Sequence, residues 1–413
     1  MWGKSAFEKI CQEIDRLVPA MIEMQSRLCA LPAISPKSGG EGEKARADYL
    51  RGVLESWGLA VEELRAPDPL APCGYRPNLI VRLPRKKSGP VLWVMTHLDV
   101  VPPGPRELWQ SDPFVARVEA DRIYGRGVED NQQEMVASIF ALRALLNLGL
   151  VPSLPVALML VADEETGSEF GVDWLLKNYQ LCAADDLVVV PDAGNEDGTL
   201  LEIAEKSILW LKFTTYGRQA HGSTPHHGNN AHRAGAYLLV RLDQKLHEHF
   251  NARDELFSPP YSTIEPTKKE TNVPNINTIP GEDVFYFDMR ILPCYLLESV
   301  MAKVKEVVSG IEQEFKVRIR VDVEQQAQAA PATPPDAPVV RLLAEAVRTV
   351  YKKEPFTRGI GGGTVAAFFR RQGIPAVVWG RNAGQAHKPN EFCLIENMAG
   401  NAKVYAYLYG SQV

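Results

Sequence analysis

Residues 91–104 read VLWVMTHLDVVPPG. The first part is an apolar and aromatic run of strand length, the pattern of a strand in a parallel sheet covered on both faces. The run stops at His97, and Asp99 and a Pro-Pro-Gly turn follow. In open sheets of this kind ligands gather at the carboxyl ends of the strands. His97 and Asp99 are two residues apart, so an extended backbone turns both to the same side. A carboxylate beside an imidazole holds its tautomer and ring orientation, as a metal-bound histidine needs. The plainer alternative is a strand-end histidine beside a solvated aspartate, and this stretch alone does not separate the two.

Three later stretches repeat the arrangement. VALMLVA (156–162) runs into Asp163-Glu164-Glu165-Thr166-Gly167, LVVV (187–190) into Pro191-Asp192-Ala193-Gly194, and IPAVVWG (374–380) into the loop carrying His387 within AHKPNEF. Between the first two strands, IYGRGVEDN sets Asp130 just before a long helical pattern. Packing a sheet does not require imidazoles and carboxylates at so many strand ends. Together they are the ligand set of zinc, and less exclusively of cobalt or manganese.

The 413 residues leave room for two domains, and 45% hydrophobic with 23% charged residues is an ordinary globular composition. A net charge of −6 without a basic run argues against nucleic acid and anionic membrane as partners. Cys11, Cys29, Cys73, Cys182, Cys294 and Cys393 are scattered, with no CxxC, which reads as reduced thiols. The opening MWGKSAFEKICQEIDRL reads as a charged amphipathic helix and not as a signal peptide. No apolar run approaches membrane-spanning length. A cytoplasmic protein is therefore expected.

Along the chain, residues 5–30 carry helical spacing, Glu43 to Trp57 a second helix, VEELRAP and NLIVRLP a strand pair, and Glu134 to Leu148 a strongly helical run. Strand and helix alternate up to Asp192, which predicts a mainly parallel α/β sheet. Then the texture changes. Ile208 to Tyr216 and Asp283 to Ile291 alternate like antiparallel strands with one wet face, helices are expected over 229–249 and Glu298 to Phe315, and Val317 to Val323 reads as an edge strand. The polar, proline-containing stretch 250–275 reads as an inserted loop. This is an α+β unit inserted into an α/β domain, and AQAAPATPPDAP (327–338) returns the chain to the first domain. The expected division is 1–206 and 327–413 for the outer domain and 207–326 for the insertion.

HLD, GRGVED, DEETGS, PDAG, AHGSTPHHGNNA and AHKPNEF, in that order and across nearly the whole chain, resemble the co-catalytic zinc peptidase family of aminoacylase, glutamate carboxypeptidase, acetylornithine deacetylase and succinyl-diaminopimelate desuccinylase. The resemblance implies a catalytic α/β domain interrupted by a lid that also serves dimerisation. His97 and Asp192 would bind one metal, Glu165 and His387 the other, and Asp130 would bridge both, opening a cis peptide to Asn131. Asp99 would bond the far nitrogen of His97, and Glu164 would be the general base. Spacing leaves open which of Glu164 and Glu165 ligates; the assignment comes from the resemblance. Two divalent ions are implied, zinc first and cobalt or manganese next.

In the lid, His221 resembles the family histidine that reaches into a partner subunit's site and steadies the oxyanion. Asn277 and Arg290 match substrate-binding positions, where a guanidinium would grip an α-carboxylate bidentately. Gly362 and Gly363 match a glycine loop whose amides face the substrate. Asn277 and Arg290 as plain solvated residues are the alternative, and His226, His227, His232, His247 and His249 read as surface or packing residues. Three departures bear on the substrate: Val365 after GGGT, Asn131-Gln132 after Asp130 where relatives carry methionine-lysine, and the long 250–275 stretch. The wording around HLDVVPPG and YGRGVEDNQQ is closest to desuccinylase-like and peptidase-like members.

The resulting expectation is a homodimeric metal-dependent amidohydrolase acting on a small peptide beside its carboxylate, with an N-acyl-amino-acid deacylase as the near alternative. A non-catalytic metal-binding module is a more distant reading. A nucleotide site at GIGGGT (359–364) lacks the P-loop lysine and the dinucleotide spacing, and the absence of a GxSxG elbow disfavours a serine hydrolase.

Overall fold

The computed structural model describes residues 2–83 and 89–412. It divides into two compact units: Met1–Ile203 with Ala332–Thr357 and Thr364–Val413, and Ala204–Pro331 with Arg358–Gly363.

The first unit is built on an eight-stranded sheet in the order Ala60–Pro67, Tyr75–Arg82, Val156–Val161, Leu92–His97, Leu187–Val190, Ala376–Val378, Leu200–Glu205, Phe356–Ile360. Its centre is parallel. Leu92–His97 runs parallel to Val156–Val161, with His97 opposite Val161, and to Leu187–Val190, which is parallel to Ala376–Val378. Antiparallel pairs flank this centre on both sides. Every residue of the three longer central strands is buried, which explains their unbroken apolar sequence. Alternate side chains serve opposite faces: Trp93 and Met95 join Met159, Val188, Val190 and Phe369 in one core cluster. Towards the other side the helix Gln133–Asn147, itself almost wholly buried, packs against the helices Lys4–Cys29 and Ile395–Tyr409. The strand pair expected near 60–84 forms as Ala60–Pro67 with Tyr75–Arg82, and Pro84 lies outside the described residues.

The second unit is a four-stranded antiparallel sheet, Thr263–Lys269, Glu282–Ile291, Ser207–Tyr216 and Arg318–Ala327, with the helices Ala231–His249 and Leu297–Phe315. Leu209, Leu211, Phe213, Phe285, Phe287 and Met289 point into a core shared with those helices, while Trp210 stays 38% exposed. Residues 263–269 correct the expectation of a loop over 250–275. They pair with Glu282–Ile291 from Thr263 opposite Arg290 to Lys269 opposite Phe285, with a register shift between Pro266 and Lys268. Only Ile264 of this strand is buried, so it carries no apolar alternation to read. At an edge Pro266 breaks no ladder on its outer side. Residues 358–363, the end of the strand Phe356–Ile360 and the glycines after it, group with this unit, although their place in the sequence suggests the outer domain. The Gly359 amide donates to the Leu256 carbonyl and the Lys206 amide to that of Ile360. Among the described residues no helix is long and apolar enough to cross a membrane.

Candidate metal centre

The four parallel strands deliver their ends to one place. His97 closes its strand, buried to 1% exposure. Glu164 and Glu165 follow Val156–Val161, Asp192 follows Leu187–Val190, and the loop after Ala376–Val378 carries His387. Gly194 lets two of these loops touch, since a β-carbon there would lie 1.9 Å from the Gly380 carbonyl oxygen. Asp130 stands ahead of the helix Gln133–Asn147, and its peptide to Asn131 is cis, as the resemblance implies.

Asp130 is shared by two groups of donors. His97 Nε2 lies 3.0 Å from Asp130 Oδ1 and 3.4 Å from Asp192 Oδ1. His387 Nε2 lies 3.1 Å from both Asp130 Oδ2 and Glu165 Oε2. In each trio, His97–Asp130–Asp192 and Asp130–Glu165–His387, all ligand atoms fall within 4.8 Å of one another. Donors about 2.0–2.2 Å from one tetrahedral zinc ion stand roughly 3.3–3.6 Å apart, so both trios fit such an ion after small adjustment. Glu165 Oε1 is buried without a hydrogen-bond partner, which is also how a carboxylate facing a cation would stand.

The turn that carries the two glutamates is fixed from beneath. Asp163 holds a left-handed φ of 63°. Its carboxylate accepts from Thr166 Oγ1, from the Phe170 amide at 3.1 Å and from Arg76 Nη1 at 3.3 Å. Arg76 is paired with Glu43 through Nε at 2.6 Å and through Nη2, and all three charged groups are fully buried. Asp99 stands against the far nitrogen of His97 and also braces the neighbouring loop. His97 Nδ1 lies 3.1 Å from the backbone carbonyl oxygen of Asp99 and 3.5 Å from its Oδ1. The two carboxylate oxygens also accept the amides of Glu164 and Glu165, each at 3.0 Å. Asp99 therefore ties one strand-end loop to the next.

Charge is unevenly shared. Although burial opposes it, hydrogen bonds that the ring donates to the Asp130, Asp192 and Asp99 carboxylates hold His97 well above the ordinary imidazole range. Asp130 and Glu165 push His387 up to about 10. Burial tends to raise the Asp130 carboxyl, yet His387 and His97 bring it below the usual range. Burial first, and then Asp192, push Glu164 well up. So many carboxylates around two imidazoles leave negative charge that divalent cations would neutralise, returning Glu164 to its ionised form.

The remaining sequence candidates lie in the second unit. His221 is exposed and its Nδ1 lies 2.8 Å from Ser223 Oγ. The Gly222 amide donates to the Asn277 carbonyl at 2.7 Å, so His221 and Asn277 are neighbours. Arg290 is engaged already: Nε and Nη2 donate to the two oxygens of Asp288 at 2.6 and 3.0 Å, and Nη1 donates to the Gly361 carbonyl at 3.1 Å. One N–H on each Nη remains, so a substrate carboxylate would meet Arg290 end-on and not along its Nε edge. Gly362 and Gly363 follow that same carbonyl. Of the three departures, Val365 is 3% exposed within the apolar core. Asn131 Nδ2 donates to the Pro191 carbonyl at 2.5 Å, joining the Asp130 turn to the Asp192 loop.

Sequence reading missed Arg76, Glu43, Glu129 and Glu391. The last two stand inside quoted motifs, and a carboxylate there was a usable signal; Arg76 and Glu43 carry no local mark.

A profile of peptidase family M20/M25/M40 matches residues 93–410. An uncharacterized metallohydrolase of Methanococcus maripaludis is 36% identical over 403 residues, covering 93% of this chain and 97% of that one. A succinyl-diaminopimelate desuccinylase of Gluconobacter oxydans is 30% identical over 387 residues, covering 92% and 94%. Among solved structures, aminopeptidase PepT from Bacillus cereus shares the fold, with a TM-score of 0.74 and 19% identity over 95% of this chain and 97% of that one. A family match across residues 93–410, with relatives similar over nearly their whole length, shows that the chain belongs to peptidase family M20/M25/M40 and is a metallohydrolase.

Proposed function

We propose that the chain is a two-zinc amidohydrolase that cleaves an amide next to an amino-acid carboxylate. The observation that carries this is Asp130, whose two oxygens face His97 at 3.0 Å and His387 at 3.1 Å. His97 and Asp192 would hold one ion and Glu165 and His387 the other, with Asp130 a donor to each; such ions, when bound, would supply Lewis-acid chemistry to a scissile carbonyl and to water. Glu164, anchored through its amide to Asp99, takes a proton from the attacking water and hands it to the leaving amine. In the lid, residues 207–326 of the sequence division, the end-on donors of Arg290 bind the substrate carboxylate beside Asn277 and the amides of Gly362 and Gly363. His221 steadies the oxyanion from a partner subunit in a homodimer, a reading supported by the resemblance. Scattered thiols without disulfides among the described residues favour a cytoplasmic setting.

The substrate is a small peptide. A deacylase acting on N-succinyl or N-acetyl amino acids is the second reading, favoured by 30% identity to a protein named succinyl-diaminopimelate desuccinylase. Hydrolysis of a panel of dipeptides, N-acetyl and N-succinyl amino acids, with and without chelator, tests both. Chelator-sensitive cleavage of dipeptides supports the first, and preference for N-succinyl substrates replaces it by the second. Indifference to chelator removes both.

A further inference from the structure

Glu129 precedes Asp130 and has no part in the reading above, yet it is 5% exposed and fully engaged. Its Oε1 accepts the Ala383 amide and its Oε2 the Gln385 amide, each at 2.5 Å. Those two amides belong to the loop that presents His387. That loop needs holding: His387 has a left-handed φ of 63°, a strained conformation for a residue with a β-carbon, and its side chain is 54% exposed. The backbone carrying Glu129 is in turn gripped from the far side of the same loop. Glu391 Oε1 accepts the amides of Glu129 at 2.9 Å and Asp130 at 3.2 Å, while its Oε2 accepts the Gly127 amide at 3.1 Å and Arg126 Nη1 at 2.6 Å. The two carboxylates therefore clasp each other's segments: Glu391 fixes the Asp130 turn, and Glu129 fixes the His387 loop onto that turn.

The two sides of the centre differ in what holds them. His97 ends a strand bonded to strands on both sides, and Asp192 directly follows another. His387 has no strand beneath it. We propose that Glu129 is a positioning residue for His387, tuning cation affinity at the Asp130–Glu165–His387 side while leaving the His97–Asp130–Asp192 side unchanged. This rests on the two-cation reading. Outer groups that orient a metal ligand typically change affinity about 10–100-fold when removed. Glutamine keeps the shape of Glu129 but offers one acceptor oxygen to two amides.

Cobalt(II) titration of purified full-length protein, read by visible absorbance, tests this. His97→Ala leaves the His387 side to be measured, and His387→Ala leaves the His97 side. Glu129→Gln is expected to weaken cobalt binding at least tenfold in the His97→Ala background and less than twofold in the His387→Ala background, which doubles as the control for folding. Glu129→Ala should act in the same direction and further. Equal weakening in both backgrounds, or none in either, overturns the clasp alone. Failure of the unsubstituted chain to bind cobalt overturns the two-cation reading and the clasp with it.

Discussion

Glu164 and Glu165 are neighbours with different surroundings: Glu165 Oε2 meets His387 at 3.1 Å, whereas the strongest charged influence on Glu164 is Asp192. Glu164→Ala should therefore lower kcat by about 10²–10⁴-fold while metal content stays at the wild-type level. Activity within tenfold of wild type would remove Glu164 from the role of base. Arg76 calls for a different measurement. Replacing it by Met strands Glu43, Asp68 and Asp163 in a fully buried setting, and denaturant unfolding should register a loss of about 3–5 kcal/mol. These residues differ in how they could be read. His97, Glu164, Glu165 and Asp192 stand where an apolar run stops, so position and chemistry mark them together. Arg76 and Glu43 are 33 residues apart, and nothing in either segment announces the other. For Arg290 the sequence shows the guanidinium, but only three dimensions show Asp288 occupying one edge of it.

The central strands were legible because burial on both faces leaves an unbroken apolar record. The strand Thr263–Lys269 was not, because an edge strand with one buried residue leaves none. Between elements, Glu134 joins the helix Gln133–Asn147 to Ile395–Tyr409 by accepting from Asn401 Nδ2 and Tyr405 Oη, each at 2.5 Å. Burial pushes its carboxyl from 4.5 up to about 7. The folded chain then keeps a proton that the unfolded chain has released, so stability falls as pH rises from about 4.5 to about 7 and levels off above. Glu134→Gln holds no such proton. Its stability relative to wild type should improve across that window by roughly 3 kcal/mol, measured as unfolding free energy against pH. A constant difference between the two proteins at every pH would show that Glu134 does not titrate in the window.

At the scale of the whole molecule, the centre draws on segments from residue 97 to residue 387, so cations bound there crosslink most of the first unit. Ligands that bind only the folded chain stabilise it by about 4 kcal/mol at a thousand times their dissociation constant. Chelator should therefore lower the melting temperature, and zinc should restore it. The division into an α/β unit and an inserted α+β unit was readable from the change of strand texture near residue 207; the assignment of 358–363 was not, because it rests on bonds to Leu256, Lys206 and Arg290. The most direct test of the central claim is elemental analysis of the purified chain together with chelator-sensitive hydrolysis of the substrate panel. About two divalent ions per chain, with cleavage abolished by chelator and restored by zinc, is the predicted result. No bound metal after incubation with zinc or cobalt, or cleavage that persists without metal, would contradict it.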